Sequence, residues 1–446
     1  MKNHINRFVF TAAVIAAAFV FVFQAQPQRA LADYDYINIS DPFIKKIPIA
    51  VSDFVGLGSD ERETEIAKNG QKELQDALLF TGYFKLIDRA AFLQKPGKHG
   101  ITAADINFKN WSDIGAELLV TGGVRIKGPV LQMELRLFDP FSGQLLLGKR
   151  YTGSLEDRRK MVLRFCSQMI FRLTGKKGVF NSRIAFVSAQ SGHKAIFVCD
   201  FDGKNIKPVT PSSGINLFPA WSNDGRFLAY TSYKNGKPDI FIRDMKNGSE
   251  RVISFKGMNI APAWRPGSDM LAATLSFAGD EDIYLLTGSG KIVKRLTKSW
   301  GIDVSPSFSP DGGRMAFVSN RSGSPQVFIM DLKSLTVTRL TYDGQYNTQP
   351  DWSPAGDVIA YSCMKNGHTD IYTISLKTGK VTQLTHDAGN NESPSFSPDG
   401  SLIVFSSTRG GKRSLYVMTA SGTDQRELLH MPGDQSLPSW SPETGF

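Results

Sequence analysis

The chain has 446 residues, with 52 Lys and Arg against 42 Asp and Glu, for a formal net charge of +10. Its 41% hydrophobic and 21% charged residues can fill a large core, which excludes a disordered chain. Its length suits two or three domains, and three scattered cysteines, Cys166, Cys199 and Cys363, exclude a disulfide framework or a zinc site and read as buried thiols.

Residues 1–32 read as an export signal. Lys2 and Arg7 precede an apolar run from Phe8 to Phe23, and Ala30-Leu31-Ala32 fits a small-x-small cleavage site. The run falls short of the roughly 20 residues that a membrane span needs. Cleavage would start the mature chain at Asp33 and leave a charge of +7. That mild basic excess reads as solvated surface, and an exported chain is not expected to meet nucleic acid.

Residues 33–44 stand apart. Tyr34, Tyr36, Ile37 and Ile39 are apolar and precede the first strand. They fit either a docked edge strand or a detachable segment that adds to a partner's sheet.

Residues 45–178 read as an α+β domain, a mixed sheet with helices on one face. Ile47 to Val51 is its first strand. Asp60 is expected to cap a helix, with Glu63 completing a capping box, and Ile66, Gly70, Leu74, Ala77 and Leu78 form the buried stripe. Gly82 ends the helix, and Phe84 to Asp88 is a second strand. Leu118 to Ile126, Val130 to Phe138 and Leu145 to Tyr151 form a meander. A helix from Leu155 to Leu173 closes the domain, and Gly175-Lys176-Lys177-Gly178 reads as a linker.

Residues 179–446 repeat. Prolines at 219, 262, 306, 350, 394 and 438 each lead a Pro-x-Trp/Phe motif, spaced by 43, 44, 44, 44 and 44 residues. That period suits a four-stranded propeller blade. Each unit carries a short aromatic strand, a tight turn (Pro-Asp-Gly at 310–312 and 398–400), a run such as Leu402 to Phe405, a glycine turn, and a strand such as Asp370 to Ile374. A last strand ends in Leu-Thr. The sixth unit lacks three strands at the C-terminus, and Arg183 to Thr210 supplies them. The expectation is an all-β six-bladed propeller closed by strands from both ends of the repeat region, with no open edge around the ring.

No catalytic constellation emerges. There is no G-x-S-x-G, no phosphate-binding glycine loop, and no metal-ligand spacing among His99, His193, His368, His386 and His430. Asp239, Asp282 and Asp370 recur in register, which points to structural caps. No cofactor is expected. The stretches before the leading prolines read as loops at one mouth of the ring. They hold Leu217, Phe218, Met258, Asn259, Ile260, Ala261, Asp303, Val304, Ser305, Asn347, Thr348, Asn390, Asn391 and Glu392. Amides mixed with apolar groups suit a protein-binding surface; ordinary turn chemistry is the plainer alternative. A hydrolase, lyase or solute-binding propeller in the periplasm is the competing class.

The leader, the small α/β domain and the six P-x-[WF]-S-P-D-G repeats with D-I-[FY] and L-T signals together resemble the TolB family, periplasmic propellers of the Tol–Pal envelope system. Trp264-Arg265-Pro266-Gly267 departs from that pattern. The resemblance implies a monomeric, non-enzymatic periplasmic adaptor that supports outer-membrane integrity and envelope constriction during cell division. It implies that the mouth residues hold the peptidoglycan-associated lipoprotein Pal. Tyr34, Tyr36, Ile37 and Ile39 would lie in the segment that binds TolA, and other outer-membrane lipoproteins are further partners.

Overall fold

The computed structural model describes residues 46–93, 100–386 and 388–445. The leader, the 33–44 segment with its four apolar residues, and His99 lie outside the described residues.

The first domain is a mixed sheet in the order β3-β1-β4-β5-β6, with the short β2 on β4. Its strands are β1 (Ile47–Val51), β2 (Val55–Gly56), β3 (Phe84–Leu86), β4 (Leu118–Lys127), β5 (Val130–Asp139) and β6 (Gln144–Ser154). β1 runs parallel to β3 and β4, while β4, β5 and β6 form the expected antiparallel meander. Helices α1 (Arg62–Phe80) and α3 (Arg158–Thr174) pack on each other and on the sheet. A third helix, α2 (Phe108–Ser112), was not expected. Its Trp111 joins Ala50, Leu119 and Phe138 in a separate cluster, so the sheet carries apolar cover on both faces.

The capping box expected at Asp60 and Glu63 does not form. The Asp60 carboxylate instead accepts from the Arg62 N–H and guanidinium, at 3.0 and 2.9 Å. Glu63 is 1% exposed. Its carboxylate accepts from the Gly58 N–H at 2.6 Å and the Ile126 N–H at 2.7 Å, tying α1 to the end of β4. The physical reason is burial: a carboxylate inside the fold must find donors, and the Gly58 and Ile126 N–H groups supply them.

In the expected linker Gly175, Lys176 and Lys177 are exposed, and the chain turns inward from Gly178. Gly175 ends α3 in the left-handed region, at φ 71°. Val179 and Phe180 then bury in one apolar core shared by both domains, which includes Leu74, Met133 and Phe165 on one side and Phe186, Phe201, Leu415 and Trp440 on the other.

Six four-stranded antiparallel sheets follow. Blades 1 to 5 begin with the innermost strands Asn216–Trp221, Asn259–Trp264, Asp303–Phe308, Tyr346–Trp352 and Asn391–Phe396. Blade 6 closes as the sequence implied: Asp434–Trp440 pairs with Arg183–Gln190, followed by His193–Asp200 and Lys207–Pro208. The Trp440 indole N–H donates to the Ser182 hydroxyl at 2.8 Å across this seam. The turns after the first strands close through their serines: the hydroxyl oxygens of Ser309, Ser353 and Ser397 accept from the N–H groups of Arg314, Val358 and Leu402 at 2.9, 3.1 and 2.9 Å.

Candidate functional site

Each innermost strand runs from one face of the ring to the other, and its neighbours alternate in direction. The connections between second and third strands therefore open on the face where the innermost strands begin, together with the links between blades. The Ser-Pro-Asp-Gly turns and the third-to-fourth-strand turns open on the opposite face. The α/β domain sits on that opposite face. Arg159 pairs with Asp202 at 2.9 Å, the Tyr83 hydroxyl donates to Asp399 at 3.4 Å, and Arg426 donates to the Phe80 carbonyl at 2.5 Å. The mouth loops are thus on the side away from the first domain.

The stretches read as mouth loops are the first residues of the innermost strands. Asn259, Asp303, Asn347 and Asn391 are each 0% exposed. Asn391 donates through its side-chain amide to Asp370 at 3.0 Å, and Asn347 donates to Gln326 at 2.8 Å. The Thr385 hydroxyl donates to Asp370 at 2.6 Å while accepting from the Ile371 N–H at 3.0 Å. Thr341 repeats this with Gln326 and Val327, at 2.8 and 2.9 Å. The recurrent Asp, the Leu-Thr and the amide are one network joining the third strand of one blade to the first strand of the next. Between blades 2 and 3 the amide is replaced by Asp303, which takes the Arg321 guanidinium at 2.9 Å.

Directly before each leading proline stands a non-glycine residue in the left-handed region: Phe218, Ala261, Ser305, Gln349, Ser393 and Leu437, with φ between 49° and 58°. The strand register shifts at each one. Every innermost strand therefore carries a bulge, and proline, which cannot donate to a ladder, occupies it.

Of the other expected residues, Asn390 is exposed and Leu217, Phe218, Met258, Ile260, Val304, Ser305, Thr348 and Glu392 are half-buried, while Ala261 is buried. The largest exposed groups on this face, Trp300 and Tyr342, lie in the connecting loops, outside the stretches read from the sequence. Trp300 is 75% exposed and Tyr342 70%, with Tyr233, Phe277, Ile302 and Tyr346 also exposed. Trp300 and Tyr342 fall in unrepeated loop positions, so the period that exposes the fold gives them no emphasis. An isolated large aromatic outside the repeat register was the available signal.

Inside the ring, a cavity of about 460 Å³ is lined by the leading prolines and the motif residues that follow them. Among the described residues no group of three or more His, Cys, Asp or Glu side chains is placed to hold a metal ion, and no helix is long and apolar enough to cross a membrane.

Comparison with known proteins accords with this architecture. The TolB amino-terminal domain model matches residues 35–146, and the TolB beta propeller domain model matches residues 171–444. A Tol-Pal system protein TolB of Desulfosudis oleivorans is 57% identical over 274 residues, 61% of this chain and 63% of that protein. A TolB homolog of Chlorobaculum tepidum is 43% identical over 264 residues, 59% of each chain. The chain thus spans less than two thirds of the length of these curated relatives. The crystal structure of TolB from Acinetobacter baumannii superposes with a TM-score of 0.78 at 28% identity, covering 89% of this chain and 97% of that one. With the amino-terminal domain and the propeller both matched, the chain belongs to the TolB family.

Proposed function

We propose that this chain is a non-enzymatic adaptor of the Tol–Pal envelope system, working in the periplasm after loss of residues 1–32. The propeller face away from the α/β domain holds the peptidoglycan-associated lipoprotein Pal, and residues 33–44 engage TolA. The observation that carries this reading is the exposed apolar set on that face: Tyr233, Phe277, Trp300, Ile302, Tyr342 and Tyr346. Exposed aromatic and aliphatic groups on one face are what protein interfaces are built from, and solvent alone gives no reason to display them.

The half-buried Leu217, Phe218, Met258, Ile260, Val304, Ser305, Thr348 and Glu392 form the inner wall of the proposed contact, and the buried Asn259, Asp303, Asn347 and Asn391 hold that wall in place. Any coupling between this face and the 33–44 segment is reciprocal: a change in TolA affinity caused by Pal equals the change in Pal affinity caused by TolA.

The test is capture of the purified soluble domain of Pal by the mature chain, with and without residues 33–44. The proposal expects capture in both cases, with TolA capture lost on truncation. Failure to capture Pal would overturn it, and TolA binding that survives truncation would overturn the assignment of the segment.

A further inference from the structure

At the position after each leading proline the six blades present Ala220, Ala263, Ser307, Asp351, Ser395 and Ser439 to the central channel. Asp351 is the one ionisable residue among those lining the cavity. Its neighbours show what the fold itself requires here. The Ser307 hydroxyl accepts from the Trp352 N–H at 3.1 Å, and the Ser395 hydroxyl accepts from the Trp440 N–H at 3.1 Å. One carboxylate oxygen of Asp351 does the same work, accepting from the Phe396 N–H at 2.7 Å. A serine suffices for that bond, so the second oxygen and the charge are surplus to the ring's construction. That second oxygen has no protein donor among the hydrogen bonds of the described residues.

Asp351 is half-buried at the cavity wall, and a carboxylate partly withdrawn from water favours a counter-charge. Burial pushes the Asp351 carboxyl up to about 7 against the opposing pull of the Phe396 N–H. The charged groups on the packed elements are engaged elsewhere or point to solvent. Asp303 pairs with Arg321 at 2.9 Å and Glu392 with Arg413 at 2.8 Å, both toward the mouth ends of the flanking strands. Asp357 accepts from the Ser353 hydroxyl at 2.9 Å, Arg314 stacks 4.9 Å over the Trp352 ring, and Lys365 is exposed at the far end of the strand behind.

We propose that the central channel is a binding site for a primary alkylammonium group, held by the free oxygen of Asp351 and the serine hydroxyls on either side of it. One ammonium balances one carboxylate, and its three N–H donors match the carboxylate oxygen and hydroxyl acceptors at hand. Proline and aromatic walls suit an aliphatic chain. A hard divalent cation is the poorer match, because it seeks six or more oxygen ligands with several carboxylates among them. The ammonium is carried either by a free polyamine or by a lysine side chain. The inference stands independently of the adaptor reading.

The test is calorimetric titration of the mature protein at low ionic strength and pH 8 with spermidine, with N-acetyl-lysine amide, and with calcium chloride, beside Asp351→Ser. Serine keeps the acceptor for Phe396 and is expected to preserve the fold, which an unchanged far-ultraviolet spectrum checks. Binding of spermidine alone supports a free polyamine, and binding of the lysine derivative supports a side chain. In either case Asp351→Ser weakens it at least tenfold, and so does lowering the pH to 5. No heat with either amine, binding unchanged in Asp351→Ser, or binding of calcium alone overturns the proposal.

Discussion

The side-chain amide of Asn391, at the start of blade 5, donates to the carboxylate of Asp370 on the third strand of blade 4, 3.0 Å away. The same carboxylate takes the hydroxyl of Thr385, 2.6 Å away. Three recurrent letters of the repeat thus meet at one buried point, and the blades are fastened to each other by it as well as by apolar packing.

Removing the amide takes one donor from the half-buried Asp370 carboxylate, which keeps the Thr385 hydroxyl and the Gln383 amide at 3.1 Å. Asn391→Ala is expected to lower the unfolding free energy by about 1–3 kcal/mol. Asn391→Ala and Thr385→Val together should cost less than the sum of the single changes, because both act on one acceptor. Denaturant unfolding of the three variants measures this; strict additivity would show that the network is not shared.

Glu63 offers a contrast with Asp60. Glu63→Ala strips the buried Ile126 N–H and the part-buried Gly58 N–H of their acceptor. The expected loss is about 2–4 kcal/mol. Asp60→Ala removes a solvent-exposed pairing with Arg62, whose guanidinium and N–H hold the Asp60 carboxyl down at about 2, and should leave the midpoint within scatter. Equal losses from the two changes would restore the capping-box reading.

These sites show how far the sequence was legible. The period of 44 and the displaced first strand at Pro438 define six blades and their closure without any side-chain geometry. Glu63 was misread because Asp-x-x-Glu before an apolar stripe is a helix-start pattern, and only the tertiary fold brings Ile126 within reach of the carboxylate. Asn259, Asn347 and Asn391 were read as exposed because amides before a proline look like loop. The left-handed bulge that follows each of them, as at Ala261 and Ser393, sinks the amide into the seam, and nothing in a single repeat unit announces it. Trp300 and Tyr342 were passed over for the opposite reason, since they lie outside the register.

The shared core predicts cooperative unfolding of the whole described fold. Val179 and Phe180 bridge the α/β domain and blade 6 within one apolar cluster, so the two domains should melt together in calorimetry. Phe180→Ala is expected to cost about 3–5 kcal/mol and to separate the transition into two. Two resolved transitions in the unaltered protein would contradict a common core.

Asp351 makes stability fall with rising pH. Withdrawal from water pushes its carboxyl up to about 7 in the folded protein, above the ordinary carboxylate range of about 4. Between those values the folded state holds the proton that the unfolded state has released, so stability declines as pH rises from about 4 to about 7. Asp351→Ser should remove that decline and be the more stable form at pH 8. Parallel pH profiles for the two proteins would contradict the placement of a half-buried carboxyl without a counter-charge in the channel.

The most direct test of the adaptor account is a calorimetric titration of the soluble domain of Pal into the mature chain, beside a Trp300→Glu, Tyr342→Glu variant of unchanged melting temperature. Both side chains are largely exposed, so the fold should tolerate the change. The account predicts binding to the unaltered protein and a loss of at least about 2 kcal/mol in the variant, the scale of interface hot spots. Equal binding by both proteins, or by neither, would contradict it.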